Sequence, residues 1–125
     1  MSYEASHGEW VQELLGEGLG HLTIKKMFGA AGVYLNDGLM FALIDDGTLW
    51  LRADEMNQPD MEKAGSIQFT YPTKDGEVMT MGYWSLPHDA ADDRDEAVRW
   101  ARRAIEASRR KVGPKKKKPY KGSGR

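Results

Sequence analysis

Two turn signals nine positions apart constrain the fold of this chain more than any other feature of its sequence. Residues 36–38 are Asn-Asp-Gly and residues 45–47 are Asp-Asp-Gly, and both favour the positive backbone φ angles of tight turns between antiparallel strands. Apolar segments lie before, between and after these turns, at residues 33–35, 39–44 and 49–52. The sequence therefore predicts a three-stranded antiparallel meander, in which the wholly apolar segment 39–44 is a central strand buried on both faces.

Helical patterns precede and follow this meander. Ser6 and Glu9 have the spacing of a capping box, and apolar residues then recur at helical offsets up to the glycines that begin at Gly16, so we expect a first helix of about ten residues. Residues 54–64 predict a short second helix, with Pro59 in its first turn. A third helix is indicated where acidic residues near position 93 precede arginines near position 110, the charge order that the helix dipole favours.

A second hairpin completes the predicted order of elements. Residues 67–71 and 78–84 are rich in aromatic and β-branched side chains, and a Lys-Asp-Gly turn signal lies between them. Alternation along the second of these strands places Tyr83 and Trp84 on opposite faces. The predicted fold is α+β, a two-layer α-β(3)-α-β(2)-α domain with an antiparallel sheet.

Charge divides the chain into two parts. Residues 109–125 contain nine basic and no acidic residues, whereas the residues before them contain nine basic and nineteen acidic residues. Residues 112–125 also hold glycines and prolines and too few large apolar side chains to offset the entropy cost of ordering. We therefore predict a folded domain over residues 1–111 and a basic disordered tail over residues 112–125.

Several kinds of chemistry find no support in the sequence. The chain has no cysteine, which excludes disulfides and thiolate metal sites, and no two of its histidines have the three- or four-residue spacing of helical metal ligands. We therefore expect no enzyme activity, no cofactor and no metal site. No apolar run is long enough to cross a bilayer, and the first ten residues lack the pattern of a secretory signal, so we expect a cytoplasmic protein.

The segment Gly29-Ala30-Ala31-Gly32 follows two lysines and so invites comparison with a phosphate-binding loop. Its spacing matches neither common phosphate-binding motif, and a strand pattern follows it where such motifs have a helix. We interpret it as a sharp bend that enters the sheet. A small ligand bound against the backbone of this bend stays open as an alternative.

Several blocks of the sequence resemble, in order and spacing, the TfoX N-terminal domain family, also called Sxy. The resemblance runs from about residue 10 to residue 107, and its blocks are residues 26–35, 38–44, 49–54, 64–65, 69–71 and 81–87. It implies the same α-β(3)-α-β(2)-α fold and no catalytic residues. Where the family commonly has glycine and an aromatic residue, this chain has Ala30 and Ala31, which removes one contact side chain.

The resemblance also implies a biological setting. The longer members of the family are bacterial regulators of natural competence genes, which act alongside the cyclic-AMP receptor protein and carry a second, helical domain at the C-terminal end. This sequence has the lysine-rich segment in that place, so we expect a stand-alone N-terminal domain. Such a domain would keep a partner-binding role.

Two hypotheses about function follow. In the first, the chain is a non-enzymatic regulatory or adaptor domain that contacts another protein, or a second copy in a homodimer, through an apolar surface of the sheet or of the third helix and the adjoining bend. Burial of the same aromatic side chains in the core is the alternative. The candidate residues are Tyr83, Trp84, Trp100, Phe28, Gly29 and Gly32. In the second, the tail binds DNA or RNA without sequence preference. Its candidate residues are Lys115, Lys116, Lys117, Lys118, Tyr120 and Lys121.

Overall fold

The computed structural model of the protein describes residues 2–112, with only the backbone described at residues 79–81 and 112. Its elements in chain order are α1 (Ala5–Leu19), β1 (Thr23–Met27), β2 (Ala30–Tyr34), β3 (Met40–Asp45), β4 (Thr48–Arg52), α2 (Gln58–Lys63), β5 (Gln68–Pro72), β6 (Val78–Ser85), a 3-10 turn (His88–Ala90) and α3 (Arg94–Val112). The strands form one antiparallel sheet in the order β1-β2-β3-β4-β6-β5. The α+β class and the predicted meander are confirmed.

The main hydrophobic core lies between one face of the sheet and helices α1 and α3. Fully buried side chains from α1 and from the central strands meet there, among them Val11, Leu15, Ile44 and Leu51. Helix α3 contributes mostly alanines, Ala97, Ala101, Ala104 and Ala107, each fully buried. Because these side chains are small, the helix axis can lie close to the sheet. Strand β3 has strands on both sides and is buried along nearly its whole length, as its apolar sequence predicts.

Three features of the fold differ from the sequence prediction. Strand β1 was not predicted, because two lysines interrupt its alternation at the sheet edge. Helix α1 is longer than predicted and ends at Gly20, where φ is 88°. The predicted capping box is wrong: the helix begins after Glu4 and no side chain caps it. The Gln12 side chain holds the other end, where it donates to the Gly20 carbonyl and accepts from the Leu22 amide.

Arginines of α3 form ion pairs with helix α2 and with two loops that adjoin strands of the sheet. Arg103 pairs with Asp60 at 2.7 Å, Arg109 with Asp37 at 3.1 Å, and Arg110 with Asp54 at 2.7 Å. These ion pairs neutralise much of the positive charge near the C-terminal end of the helix. No helix within residues 2–112 combines the length and the apolar character that a bilayer crossing requires.

Candidate functional site

One face of the sheet carries a second hydrophobic cluster to which no described helix contributes. Leu43, Phe69 and Tyr83 are buried in it, and half-buried side chains surround them, namely Met27, Met40, Trp50 and Tyr71. Trp50 meets Phe69 edge to face, with ring centroids 5.0 Å apart. We call this surface the open face. Its apolar side chains are sheltered by one another rather than by a helix.

The turn between β1 and β2 lies at the end of this face and has an unusual residue in it. Phe28 and Gly29 have φ angles of 50° and 84°, and the corresponding residues of the β3–β4 turn, Asp46 and Gly47, have 52° and 78°. Consecutive positive φ angles are typical of two-residue hairpin turns and suit Asn, Asp and Gly. Phe28 is an exception, because an aromatic residue gains nothing from this backbone and its side chain is 90% exposed.

The structure separates the predicted contact residues. Trp84 belongs to the main core and Tyr83 to the open face, which confirms that they point to opposite sides, but both are buried, at 7% and 1% exposure. They therefore offer a partner almost no area. Trp100 is half-buried against the main core on α3, with the Arg103 guanidinium 5.9 Å from its ring centroid. Of the four aromatic residues predicted to contact a partner, Phe28 has the largest exposed fraction.

The predicted bend is confirmed, and its position is shifted. The chain reverses at Phe28 and Gly29, and Ala30 already belongs to strand β2. Gly32 lies within that strand under side chains of the open face. A Cβ atom there would come within 3.2 Å of Tyr34, Met40 and Met27, so side chains fill the space that a bound ligand would need at Gly32.

Sequence reasoning missed one polar residue of the open face. Arg52 faces Tyr83 across β4 and β6, and its Nη2 donates to the Tyr83 hydroxyl at 3.0 Å while its guanidinium carbon lies 4.4 Å from the ring centroid. Burial raises the pKa of Tyr83, and the positive charge of Arg52 opposes that rise. One sequence signal could have identified Arg52. It is the only charged residue of strand β4 and lies two positions after Trp50, so alternation places both side chains on the same face.

Next to Arg52, Asp54 and Arg110 form a bidentate ion pair. The two carboxylate oxygens of Asp54 accept from Nε and Nη2 of Arg110 at 2.7 and 3.0 Å. This contact with Arg110 holds the pKa of Asp54 below its usual value, and burial works in the opposite direction. The pair joins the end of β4 to the end of α3.

The remaining predicted residues, those of the basic tail from Lys115 to Lys121, lie outside the described residues. The model of the TfoX N-terminal domain family matches residues 13–108, a range that begins within α1, includes all six strands and ends within α3. No curated protein matches the chain.

Proposed function

Since this chain belongs to the TfoX N-terminal domain family, we propose that it is a non-catalytic regulatory domain that binds a protein through the Phe28 turn and the adjoining open face. The family resemblance supports a role in the control of genes for DNA uptake. The resemblance brings no catalytic residues, which agrees with a role in binding.

The conformation and exposure of Phe28 carry this proposal. The fold gains little from a phenylalanine that is 90% exposed and has a φ of 50°, since αL geometry is unfavourable for residues other than Gly, Asn and Asp. Strained backbone positions cluster at binding sites, where the surrounding structure imposes them. Two half-buried methionines of the open face, Met27 directly before the turn and Met40 opposite the far end of β2, add side chains that repack easily against different surfaces.

Site-specific photocrosslinking in cells tests the proposed contact. A photoreactive phenylalanine analogue replaces Phe28 in one variant and Arg99 in a second, because Arg99 is exposed on α3, away from the open face. We expect a discrete protein adduct from position 28 and none from position 99. Equal labelling at both positions, or no adduct at position 28, would contradict the proposal.

The basic tail favours a second candidate function, association with nucleic acid without sequence preference. Residues 113–125 contain six basic and no acidic residues, and such a segment gains affinity by releasing counterions from phosphates. The same crosslinking analogue at Tyr120 distinguishes the two functions. An adduct with DNA or RNA at position 120, together with no protein adduct at position 28, would favour the tail as the functional part.

A further inference from the structure

We propose that a cleft between β4, β6 and the end of α3 binds a phosphate group through Arg52 and Lys111. The cleft has a volume of about 370 Å³. Residues from three separate segments form its walls: Arg52, Ala53, Asp54 and Glu55 from the end of β4, Gly82 from β6, and Ala107, Arg110 and Lys111 from α3. The cleft shares Arg52 with the border of the open face, but its ligand would be a small anion or an anionic group and not a protein surface.

Arg52 is the main reason for this assignment. The other described arginines lie against a carboxylate or a carbonyl oxygen. Among the residues whose side chains the structure describes, the Arg52 guanidinium has one hydrogen-bond partner, the neutral Tyr83 hydroxyl. The Arg52 side chain is half-buried, and its Nε is shielded from solvent and so from any ligand. Nη1, which lies beside Gly82, is the donor that an anion in the cleft could reach. A half-buried cation with unused donors is costly unless an anion approaches it.

The carboxylates of the cleft leave this positive charge largely uncompensated. Both oxygens of Asp54 accept from Arg110, and Oδ1 also accepts from the Met56 amide. Asp54 and Arg110 therefore balance each other. Glu55 then opposes two cations, Arg52 and Lys111, so the lining carries one net positive charge.

Gly82 leaves the Arg52 guanidinium open to the cleft. A Cβ atom at this position would lie 3.2 Å from Nη1 of Arg52, and a larger side chain would cover that nitrogen. Lys111 lines the same cleft from α3 and is exposed. Two cations from different segments suit a tetrahedral phosphate, whose oxygens point in several directions, better than a planar carboxylate, which one guanidinium can satisfy alone.

Amide chemical shifts of the full ¹⁵N-labelled chain, titrated with inorganic phosphate at constant ionic strength, test the site. Signals of Ala53 and Gly82 report on the cleft and are separate from signals of the basic tail. We expect saturable shifts at these two amides. Arg52→Gln should weaken the fitted affinity by roughly tenfold or more, and Lys111→Gln, at an exposed position, should weaken it by a few-fold without unfolding the chain.

Arg99→Gln is the matched control, since it removes an exposed α3 cation outside the cleft and should leave the affinity unchanged. The proposal is overturned if Ala53 and Gly82 do not shift, if Arg52→Gln binds as well as the parent chain, or if acetate binds as tightly as phosphate. Thermal unfolding of each variant shows whether it is folded.

The source of the phosphate is distinguished by two further titrations. A nucleoside 5′-monophosphate that shifts Ala53 and Gly82 more strongly than phosphate does identifies a free phosphomonoester as the ligand. A short single-stranded oligonucleotide that competes with phosphate at these amides identifies a nucleic-acid backbone. In both cases Arg52→Gln should weaken the binding that these two amides report.

Discussion

Phe28 and Asp46 occupy equivalent positions in two turns of the same length, with nearly equal φ angles. Asp46 suits that backbone and also accepts a hydrogen bond from the Ser2 hydroxyl at 2.6 Å, whereas Phe28 extends into solvent. The stability of the fold therefore accounts for an aspartate at position 46, but it does not account for a phenylalanine at position 28. Substitutions at the two positions should therefore have opposite effects.

Replacing Phe28 with asparagine should stabilise the chain by about 0.5–1 kcal/mol, because asparagine tolerates positive φ and little packing is lost. Equilibrium urea denaturation measures the change. The reciprocal Asp46→Phe should destabilise the chain by at least as much, since it also removes the Ser2 hydrogen bond. A loss of stability in Phe28→Asn would show that the ring packs against the domain, which would remove the argument for a contact role.

Asp54 gives the fold a defined response to acid. Its pKa is held below the usual value of about 4 by Arg110, so in acid the unfolded chain takes up a proton before the folded chain does. The stabilisation is therefore fully present at neutral pH and is lost as pH falls through the folded-state pKa. The stability difference between parent and Asp54→Asn should shrink as the pH falls below about 5 and should continue to shrink below about 4, the unfolded-state pKa. Asp75→Asn, in an exposed turn, should show no comparable change.

At the scale of elements, α1 and α3 approach each other closely at Gly18. A Cβ atom there would lie 2.8 Å from both γ carbons of Val98, whose branched side chain has few alternative rotamers. Glycine is unfavourable in an isolated helix. At position 18, however, its lack of a side chain allows α1 to pack against α3, and α1 continues to Leu19. Arg102 reinforces the contact, because its Nη2 donates to the Gly18 carbonyl at 2.9 Å.

Gly18→Ala should consequently destabilise the chain by about 1 kcal/mol. The overpacking against Val98 outweighs the better helix propensity of alanine, which by itself would stabilise by a similar amount. In a Val98→Ala background the clash is absent, so the same Gly18→Ala change should become stabilising. Thermal unfolding of the four chains measures this reversal, and equal effects in both backgrounds would show that the two helices do not meet as closely as described.

The elements of the fold differ in whether local sequence patterns could predict them. Turn signals and alternation predicted strands β2 to β6, and the order of acidic and basic residues predicted the third helix, because these patterns depend on near neighbours. The extent of α1 depended on Val98, eighty positions away from Gly18, and edge strand β1 has no clean alternation to reveal it. The cleft was beyond prediction for the same reason, since Arg52, Gly82 and Lys111 become neighbours only through the sheet order and the path of α3.

At the scale of the whole molecule, most cations of α3 are already paired within the domain. Arg103, Arg109 and Arg110 each contact an aspartate on another segment, so the end of the helix adds little free positive charge. Residues 113–125 differ, because six basic residues occur there without an acidic one. The salt-dependent affinity for duplex DNA should then depend mainly on the tail and not on these paired arginines of α3.

Binding to duplex DNA across a salt series measures this division. If the six tail cations all contact phosphates, replacing them together with glutamine should flatten the slope of log affinity against log salt by roughly five. Arg109→Gln, which removes a cation paired with Asp37, should change the slope by less than one unit. A steep slope that survives in the six-residue variant would place the phosphate contacts on the domain, and Arg52 and Lys111 would then be the cations to substitute next.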